Sequence, residues 1–320
     1  MPTLPRQPTP RWLPAAGLLA FAALAFPLTA SAAGVVPAPA GGSWWVWALG
    51  TFVACFFMGI AAVPAGVGGG VLFVPIVSGF FPFHLDFVRG AGLLVAMAST
   101  LAAGPSLLRN GMVNLRLVMP LALSSSLSSI AGAMVGLALP AWLVQTLLGT
   151  AILAIAALMI AMRKSEFPHV PHPDPLSRRL GIHGVFRDPI AGTETPWQVH
   201  RTATGIVLFL AIGFLGGLLG VGAGWANVPG LNLMMGVPLK LAAASSSLIL
   251  SIASASATWY YLNSGAILPV IAVPSVIGMM MGARIGAHLL TVLNPAAVRR
   301  LVIAMLLFAG ARALLKGLGY

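Results

Sequence analysis

The chain has very few charged residues. Of its 320 residues only 7% are Asp, Glu, Lys or Arg, whereas 59% are hydrophobic, and the mean hydropathy is +0.98. Because a soluble domain carries about 25% charged residues, this chain lacks the polar surface that a soluble fold needs. The shortage of charge excludes a water-soluble globular protein.

Carboxylates are the scarcest charged groups. The chain has five of them: Asp86, Glu166, Asp174, Asp188 and Glu194. A carrier of metal cations needs oxygen ligands, so this shortage disfavours such a carrier and suits an anionic cargo. Only Asp86 lies near a predicted membrane segment. We predict that it couples to protons together with His84, since histidine titrates near neutral pH; the alternative is a solvated loop pair.

Cysteine and hydrolase motifs are also missing. The single Cys55 lies in an apolar run, which excludes a disulfide framework and a thiolate metal cluster. HExxH, GxSxG and paired intramembrane aspartates do not occur. We therefore expect neither a metal nor a cofactor, and a protein that is not an enzyme, with a membrane-embedded enzyme as the rival class.

What the chain has in place of charge is a series of long apolar runs. A helix needs roughly 20 apolar residues to cross a bilayer, and such runs recur along almost the whole sequence. They predict an all-α polytopic membrane protein in a cell (inner) membrane. Basic residues lie mostly at the ends of the runs or in one polar loop, as in proteins with cationic cytoplasmic loops, so we expect no nucleic-acid partner.

The first 33 residues form a separate segment. Arg6 and Arg11 precede an apolar stretch, and Ala30 and Ala32 follow in a small-x-small arrangement. This order is typical of a secretory signal peptide. A short first transmembrane helix is the alternative interpretation of residues 1–33.

An internal repeat relates the two halves of the remaining chain. A shift of 154 residues superposes Gly66 on Gly220, Pro75 on Pro229 and Gly132 on Gly286, among other pairs. One offset holding over more than seventy residues indicates a duplication. We assign residues 44–162 to the first transmembrane repeat, 163–200 to a cytoplasmic linker that contains the irregular stretch "HVPHPDP", and 201–320 to the second repeat.

Each repeat is predicted to contain about five helical segments. They cover residues 44–64, 71–82, 88–108, 117–139 and 142–162 in the first copy, and 202–219, 225–236, 240–261, 266–291 and 296–316 in the second. An odd number of crossings inverts the second copy. Inversion also places the basic loops of both copies on the cytoplasmic side, although Arg312 and Lys316 do not fit this scheme. The short segments 71–82 and 225–236 are alternatively re-entrant.

A glycine cluster breaks an apolar run in each copy. Broken helices survive in a bilayer only where they line a protein-enclosed or aqueous cavity, and the first amides of a half-helix carry partial positive charge. We predict that the two half-helix starts, near Val71 and Trp225, meet and bind an anion, as in other inverted-repeat transporters. The alternative is that the glycines serve helix packing alone.

Several of these stretches resemble one known family. The segments "GVGGGVLFVP" and "GVGAGWANVP", the loop "LLRNGMVNLRLVMP" and the segment "GMMMGARIGAHLL" are similar to the TauE/SafE sulfite exporter family, the TSUP permeases. The resemblance covers about residues 44–315. It implies a multi-pass permease for small sulfur anions such as sulfite, sulfonates or sulfoacetate. A passive anion channel is the alternative function.

The predicted substrate-binding residues combine glycines at the breaks with nearby hydrogen-bond donors. Serine in a membrane helix often bonds its own backbone instead, and an arginine near a helix end can extend to the interface. The set is Gly68, Gly69, Gly70, Val71, Ser99, Thr100, Gly222, Gly224, Trp225, Asn227, Ser245, Ser246 and Arg284. The expected partners are the lipid bilayer and a small anionic substrate.

Overall fold

The computed structural model describes residues 44–65, 68–109, 113–161, 174–187, 194–222, 224–289 and 295–319. Residues 41–320 form one compact unit. The prediction for residues 1–33 lies outside the described residues. Within the described part of the chain, nearly all regular structure is helical.

The first repeat contains five helices. They are α1 Trp44–Ala65, α2 Gly69–Phe80, α3 Leu85–Arg109, α4 Leu115–Ala138 and α5 Ala141–Ala161. Helix α2 has only 12 residues and begins directly after Gly68. Asn114 caps α4, because its side chain accepts hydrogen bonds from the backbone N–H groups of Arg116 and Leu117.

The second repeat has the same order of elements. It contains α7 Thr202–Leu219, α8 Gly224–Pro229, α9 Leu239–Asn263, α10 Pro269–Leu289 and α11 Pro295–Gly317. Helix α8 continues as a π-helical turn over Gly230–Met234. Pro229 lacks an N–H group, which disturbs the regular α-helical bonding at this point, and π-helical turns of this kind are frequent at functional sites.

Six of the described helices are long and apolar enough to cross a membrane, namely α1, α4, α5, α7, α9 and α10. The shorter apolar helix α2 accompanies them. The prediction of an all-α polytopic membrane protein is confirmed. Large apolar side chains such as Phe57, Leu127 and Trp259 are exposed on the outside of the bundle, as expected for helices that face lipid.

Equivalent helices begin at the predicted spacing. Three pairs of helix starts each differ by 154 residues: Leu85 and Leu239, Leu115 and Pro269, and Ala141 and Pro295. Helix α1 packs against α10, and its equivalent α7 packs against α4, the equivalent of α10. Each copy therefore places its first helix against the fourth helix of the other copy.

Glycines allow the first helix of each copy to pack closely against the fourth helix of the other copy, because they permit close backbone contact. A Cβ atom on Gly59 would lie 2.7 Å from the carbonyl oxygen of Met279, and one on the equivalent Gly213 would lie still closer to the carbonyl oxygen of Ser125. Similarly, Gly132 lies against the carbonyl of Phe214, and Gly286 lies against that of Ile60. The glycines within these helices therefore serve close backbone packing.

One pair of equivalent helices that contact each other runs in opposite directions. They are the last helices of the two copies, α5 and α11. Gly317 lies against Thr146, Gly149 lies against Leu314, and Gly310 lies against Ile152. Since the position along α11 falls as the position along α5 rises, the two helices are antiparallel.

The segment between the repeats is more regular than predicted. Residues 174–187 and 194–200 contain a short helix, α6 Pro175–Arg179, and an antiparallel hairpin of β1 His183–Arg187 and β2 Glu194–Gln198. Ile182, Trp197 and Val199 are buried in one apolar cluster with Leu117, Met235 and other residues of the helices. These apolar side chains anchor the segment to the bundle, so the described part of the linker is not simply a solvated connector; most of the stretch "HVPHPDP", which was predicted to be irregular, lies outside the described residues.

A hydrogen-bonded carboxylate ties this segment to α7. The Thr202 hydroxyl at the start of α7 donates to Asp174 Oδ1 at 2.8 Å. Burial alone raises the pKa of Asp174, but hydrogen bonds from Thr202 and Ser177 outweigh this effect, so the pKa lies below its ordinary value of 3.8. Asp174 is therefore ionised at neutral pH.

Candidate functional site

The two glycine breaks meet inside the protein. A Cβ atom on Gly224 would lie 3.6 Å from the Cα atom of Gly68. A Cβ atom on Gly70 would lie 2.6 Å from the carbonyl oxygen of Val221 and 2.9 Å from that of Gly92. The backbones of the two breaks therefore cross at a distance that only glycine permits.

This crossing lies against the middle of the third helix of each copy. Gly222 is adjacent to the side chains of Ala96 in α3 and Leu250 in α9, two equivalent residues of the repeat. Leu250 also lies next to Gly68 and Gly224. Both α3 and α9 have 25 residues, so the crossing is far from either end of these helices.

The first break leads into the start of α2. Gly69, Gly70 and Val71 form its first turn and are buried, and Val71 donates a backbone hydrogen bond to the Gly68 carbonyl at 3.1 Å. The α-helical part of α8, after the second break, has only six residues. A helix macrodipole grows with the number of aligned peptides. The short α8 therefore offers an anion little electrostatic stabilisation, and polar side chains matter more for anion binding in the second copy.

Asn227 is the most unusual of these side chains. It is 0% exposed, and neither its amide nitrogen nor its amide oxygen has a hydrogen-bond partner. The indole Nε1 of Trp225, two residues earlier, is also buried without a partner. Buried polar groups are nearly always hydrogen-bonded in proteins, so these atoms are suited to a ligand or to water.

The hydroxyl groups of the two third helices differ in their bonding. Ser99 donates to the Ala96 carbonyl at 2.8 Å, and Thr100 donates to the Met97 carbonyl at 2.9 Å. In contrast, the buried hydroxyls of Ser245, Ser254 and Thr258 in α9 have no partner. Among the described residues, the two third helices therefore differ in their hydroxyl groups, and these three unpartnered hydroxyls lie in α9 of the second copy.

Other predicted residues are placed differently. Ser246 is buried in α9. Arg284 is exposed on α10, unlike the buried polar groups at the breaks, so we leave it out of the candidate site. His84 is 60% exposed and lies 3.4 Å from Asp86. Among the described residues, no group of three or more His, Cys, Asp or Glu side chains could bind a metal ion.

Arg89 is not among the site residues predicted from the sequence. This residue follows Asp86 by one helical turn, and its guanidinium is only 1% exposed. Its Nη1 donates to Asp86 Oδ1 at 2.8 Å and to the Gly136 carbonyl at 3.1 Å, and its Nη2 donates to the Leu218 carbonyl. The available signal was an arginine three residues after an aspartate within an otherwise apolar segment.

Arg89 connects the ends of several helices near the second break. Gly136 and Leu218 lie in the last turns of α4 and α7, where carbonyl groups carry partial negative charge. The guanidinium carbon lies 5.5 Å from the centre of the Tyr261 ring, and the Tyr261 hydroxyl donates to the Gly217 carbonyl at 3.2 Å. The backbone of Arg89 is in contact with Gly220, the first glycine of the second break.

A multi-pass bundle with two crossing helix breaks and buried, unpartnered donors is the architecture of a membrane transporter rather than of an enzyme. The chain matches the family Sulfite exporter TauE/SafE over residues 51–313 and belongs to that family. It is also similar to Probable membrane transporter protein YunE of Bacillus subtilis (strain 168). The two are 23% identical over 260 residues, which cover 79% of this chain and 92% of YunE. No solved structure gives a significant match.

Proposed function

We propose that this membrane permease is a secondary transporter that carries a small sulfur oxyanion or organosulfonate, such as sulfite or sulfoacetate, through the crossing of the two glycine breaks. The observation that supports this most strongly is the buried, unpartnered amide of Asn227, three residues after Gly224 of the second break, with the Trp225 indole close to it in sequence. The name of the family, Sulfite exporter, supports the choice of a sulfur anion.

The donors at the crossing are neutral. An indole N–H, an amide and several hydroxyl groups can donate to the oxygen atoms of an anion without a permanent positive charge. Such a site can bind a dehydrated oxyanion by hydrogen bonds. None of the five carboxylates of the chain lies in the segments 68–80 and 224–234 that form the crossing.

We also propose that the two repeats are inverted with respect to the membrane. The antiparallel packing of α5 against α11 supports inversion, since two equivalent helices point in opposite directions. Inverted repeats give a transporter two alternative arrangements of similar energy, one open to each side. The crossing of the breaks would then remain fixed while access alternates around it.

Reconstitution into proteoliposomes tests the proposed activity. We expect the protein to accumulate 35S-labelled sulfite or sulfoacetate against its concentration gradient when an ion gradient is present. Dissipation of a gradient without accumulation would indicate a passive channel. Chemical conversion of the anion would indicate an enzyme, and no movement of either compound would contradict the proposed function.

Asn227→Leu tests the site itself. Leucine has nearly the same volume, so it removes the unpartnered amide without opening a cavity, and we expect an unchanged or slightly higher Tm. We expect the variant to lose at least tenfold in sulfite transport and to lose the rise in Tm that sulfite gives to the wild type. Normal transport by this variant would remove Asn227 from the site.

Asn232→Leu is the matched control in the same segment. Its side chain is also buried, but it donates a hydrogen bond to the Val237 carbonyl at 2.8 Å. Loss of a satisfied buried hydrogen bond costs about 1 kcal/mol, so we expect a lower Tm together with retained sulfite-dependent stabilisation. The two asparagines should therefore show opposite patterns.

A further inference from the structure

The guanidinium of Arg89 is a buried cation with one anionic partner among the described residues, Asp86. The side chain of Asp86 is 31% exposed, so solvent reaches the carboxylate although it does not reach the guanidinium. Arg89 Nε is buried without a hydrogen-bond partner. Protons from solvent can therefore reach the Asp86 carboxylate, and the Arg89 Nε–H group can still donate a hydrogen bond.

Few other titratable groups face this pair. Helices α2 and α7 carry no charged residue. Arg116 and Lys240 lie near the starts of α4 and α9, whereas these helices approach Arg89 near their ends, and Arg284 of α10 is exposed. Tyr261 and the exposed His84 are the remaining titratable neighbours among the described residues. Asp86 is thus the group whose protonation changes the charge next to Arg89.

We propose that Arg89 is a cationic contact for the transported anion, and that Asp86 gives up this contact when it accepts a proton. This inference rests on the proposed function. The proton binds a carboxylate oxygen of Asp86, the Asp86–Arg89 ion pair breaks, and one negative charge of the cargo pairs with the guanidinium. One proton and one anion are then bound together, and both leave in the same direction.

The cost of an unpaired buried charge makes this exchange obligatory. Removing the partner of a buried ion pair is strongly destabilising, so Arg89 needs a counter-charge in every stable state. When Asp86 is ionised it supplies that charge and opposes the anion. When Asp86 is protonated, the anion supplies it. For a monovalent anion the complete cycle moves no net charge.

The position of Arg89 fits this role. Its backbone contacts Gly220, and Gly92, one turn further along α3, lies close to the Gly220 carbonyl. On α9, the unpartnered hydroxyls of Ser254 and Thr258 precede Tyr261 by seven and three residues, the spacing of one helix face. A face with free donors therefore extends from Gly222 toward the ring that faces Arg89.

The competing role for Arg89 is purely structural, since it also joins the last turns of α4 and α7. The repeat offers no second copy of the pair, because Ala243 and Lys240 occupy the positions equivalent to Arg89 and Asp86. A structural role and a coupling role make the same contacts, so an experiment must separate proton coupling from stability.

Asp86→Asn in proteoliposomes separates them. The probe is methanesulfonate, a monovalent anion that stays ionised between pH 5 and pH 8, so its own protonation cannot mimic coupling. With the outside more acidic, we expect the wild type to accumulate labelled methanesulfonate without an effect of membrane potential. We expect Asp86→Asn to exchange methanesulfonate across the membrane but to lose at least tenfold in gradient-driven accumulation, and Asp86→Glu to restore it.

Thermal unfolding in detergent gives a second measurement that does not depend on transport. Asp86→Asn leaves the buried guanidinium without its counter-charge, so methanesulfonate should raise the Tm of this variant more than that of the wild type. An equal or smaller rise would overturn the role of Arg89 as an anion contact. His84→Ala should keep gradient-driven accumulation, and its loss there would overturn the assignment of the proton to Asp86.

The possible failures are distinguishable. If the wild type neither transports methanesulfonate nor is stabilised by it, the proposed function for sulfonates is wrong, and the inference is wrong with it. If the wild type transports methanesulfonate and Asp86→Asn still accumulates it under a proton gradient, the proposed function stands and the coupling through Asp86 and Arg89 is wrong.

Discussion

Single glycines at the crossing differ in what an added methyl group would meet. At Gly70 the nearest atoms are the backbone carbonyl oxygens of Val221 and Gly92, which are fixed by their own segments. At Gly68 the nearest atom is the Leu250 Cδ2 atom at 3.1 Å, the end of a flexible side chain. Gly68 has φ −60°, a value open to any residue. Substitution of Gly68 and of Gly70 by alanine is therefore a controlled comparison.

Gly70→Ala should damage the crossing, whereas Gly68→Ala should be tolerated. Overpacking against rigid neighbours costs about 1–3 kcal/mol, so we expect a lower Tm and strongly reduced sulfite transport for Gly70→Ala. We expect Gly68→Ala to remain within about 1 kcal/mol of the wild type, because Leu250 can change its rotamer. Equal effects of the two substitutions would show that the backbones do not cross as described.

Candidate site residues can be recognised from the sequence when they recur in both copies or are unusual in an apolar run. Residues whose role depends on partners far away in the chain cannot be recognised in this way. The glycine clusters and Asn227 were identifiable because a break in an apolar run is visible locally. Arg89 was not identified, because its significance depends on the carbonyls of Gly136 and Leu218, which are 47 and 129 residues away. No local pattern indicates that the last turns of two other helices meet at this side chain.

Among the elements, α2 shows how a short helix ends within a membrane protein. Its last carbonyls need donors, since no further turn follows to bond them. The Lys316 ammonium donates to the Ser78 carbonyl at 2.7 Å, and the Arg312 guanidinium donates to the Gly79 carbonyl at 2.9 Å. The Arg312 guanidinium also lies 4.3 Å from the centre of the Phe80 ring.

These contacts explain two charges that did not fit the predicted orientation. Arg312 and Lys316 contradicted the rule that basic residues lie on the cytoplasmic side. Their partners show that they complete the C-terminal end of α2, where cations are favourable next to the helix dipole. Local capping therefore accounts for their position, and orientation has to be judged from the other basic residues.

Lys316→Met should loosen the end of α2. Methionine retains much of the apolar stem but cannot donate to Ser78, and a cation at a helix C-terminus contributes about 0.3–1 kcal/mol, or more when partly buried. We expect a Tm lower by a few degrees and faster amide hydrogen exchange over residues 77–81. Arg284→Met on the exposed side of α10 is the control and should change neither quantity. Unchanged exchange in Lys316→Met would remove the capping role.

The linker shows the limit of composition as a guide to elements. Its prolines, histidines and charges predicted a solvated connector, yet His183–Arg187 and Glu194–Gln198 pair as antiparallel strands. Trp197 and Ile182 are buried against apolar side chains of α4 and α9. Tertiary contact with the bundle stabilises strands that are too short to be predicted from their own sequence.

For the whole molecule, the repeat was the most informative feature of the sequence. The offset of 154 residues reappears in the helix starts and in the exchange of first and fourth helices between copies. A single sequence can reveal such a duplication because equivalent glycines must remain where backbones touch. It cannot reveal which helices of the two copies pack against each other, because that depends on the three-dimensional arrangement.

Equivalent turns of the two copies should face opposite sides of the membrane. The turn before α3 contains the exposed His84, and the turn before α9 leads to the exposed Lys240. After replacement of Cys55, the single cysteine of the chain, by alanine, His84→Cys and Lys240→Cys can be labelled with a membrane-impermeant maleimide in right-side-out vesicles. We expect His84→Cys to react and Lys240→Cys to react only after permeabilisation.

Ser264→Cys fixes the reference side for this measurement. Ser264 follows α9 directly, and because α9 is long enough to span the bilayer, it must lie on the side opposite to Lys240. Inversion then predicts that Ser264→Cys and His84→Cys react alike. If Lys240→Cys reacts together with His84→Cys and apart from Ser264→Cys, the copies are parallel. In that case the two starts of the third helices face the same solution, and a carrier based on inversion of the repeats loses its structural basis.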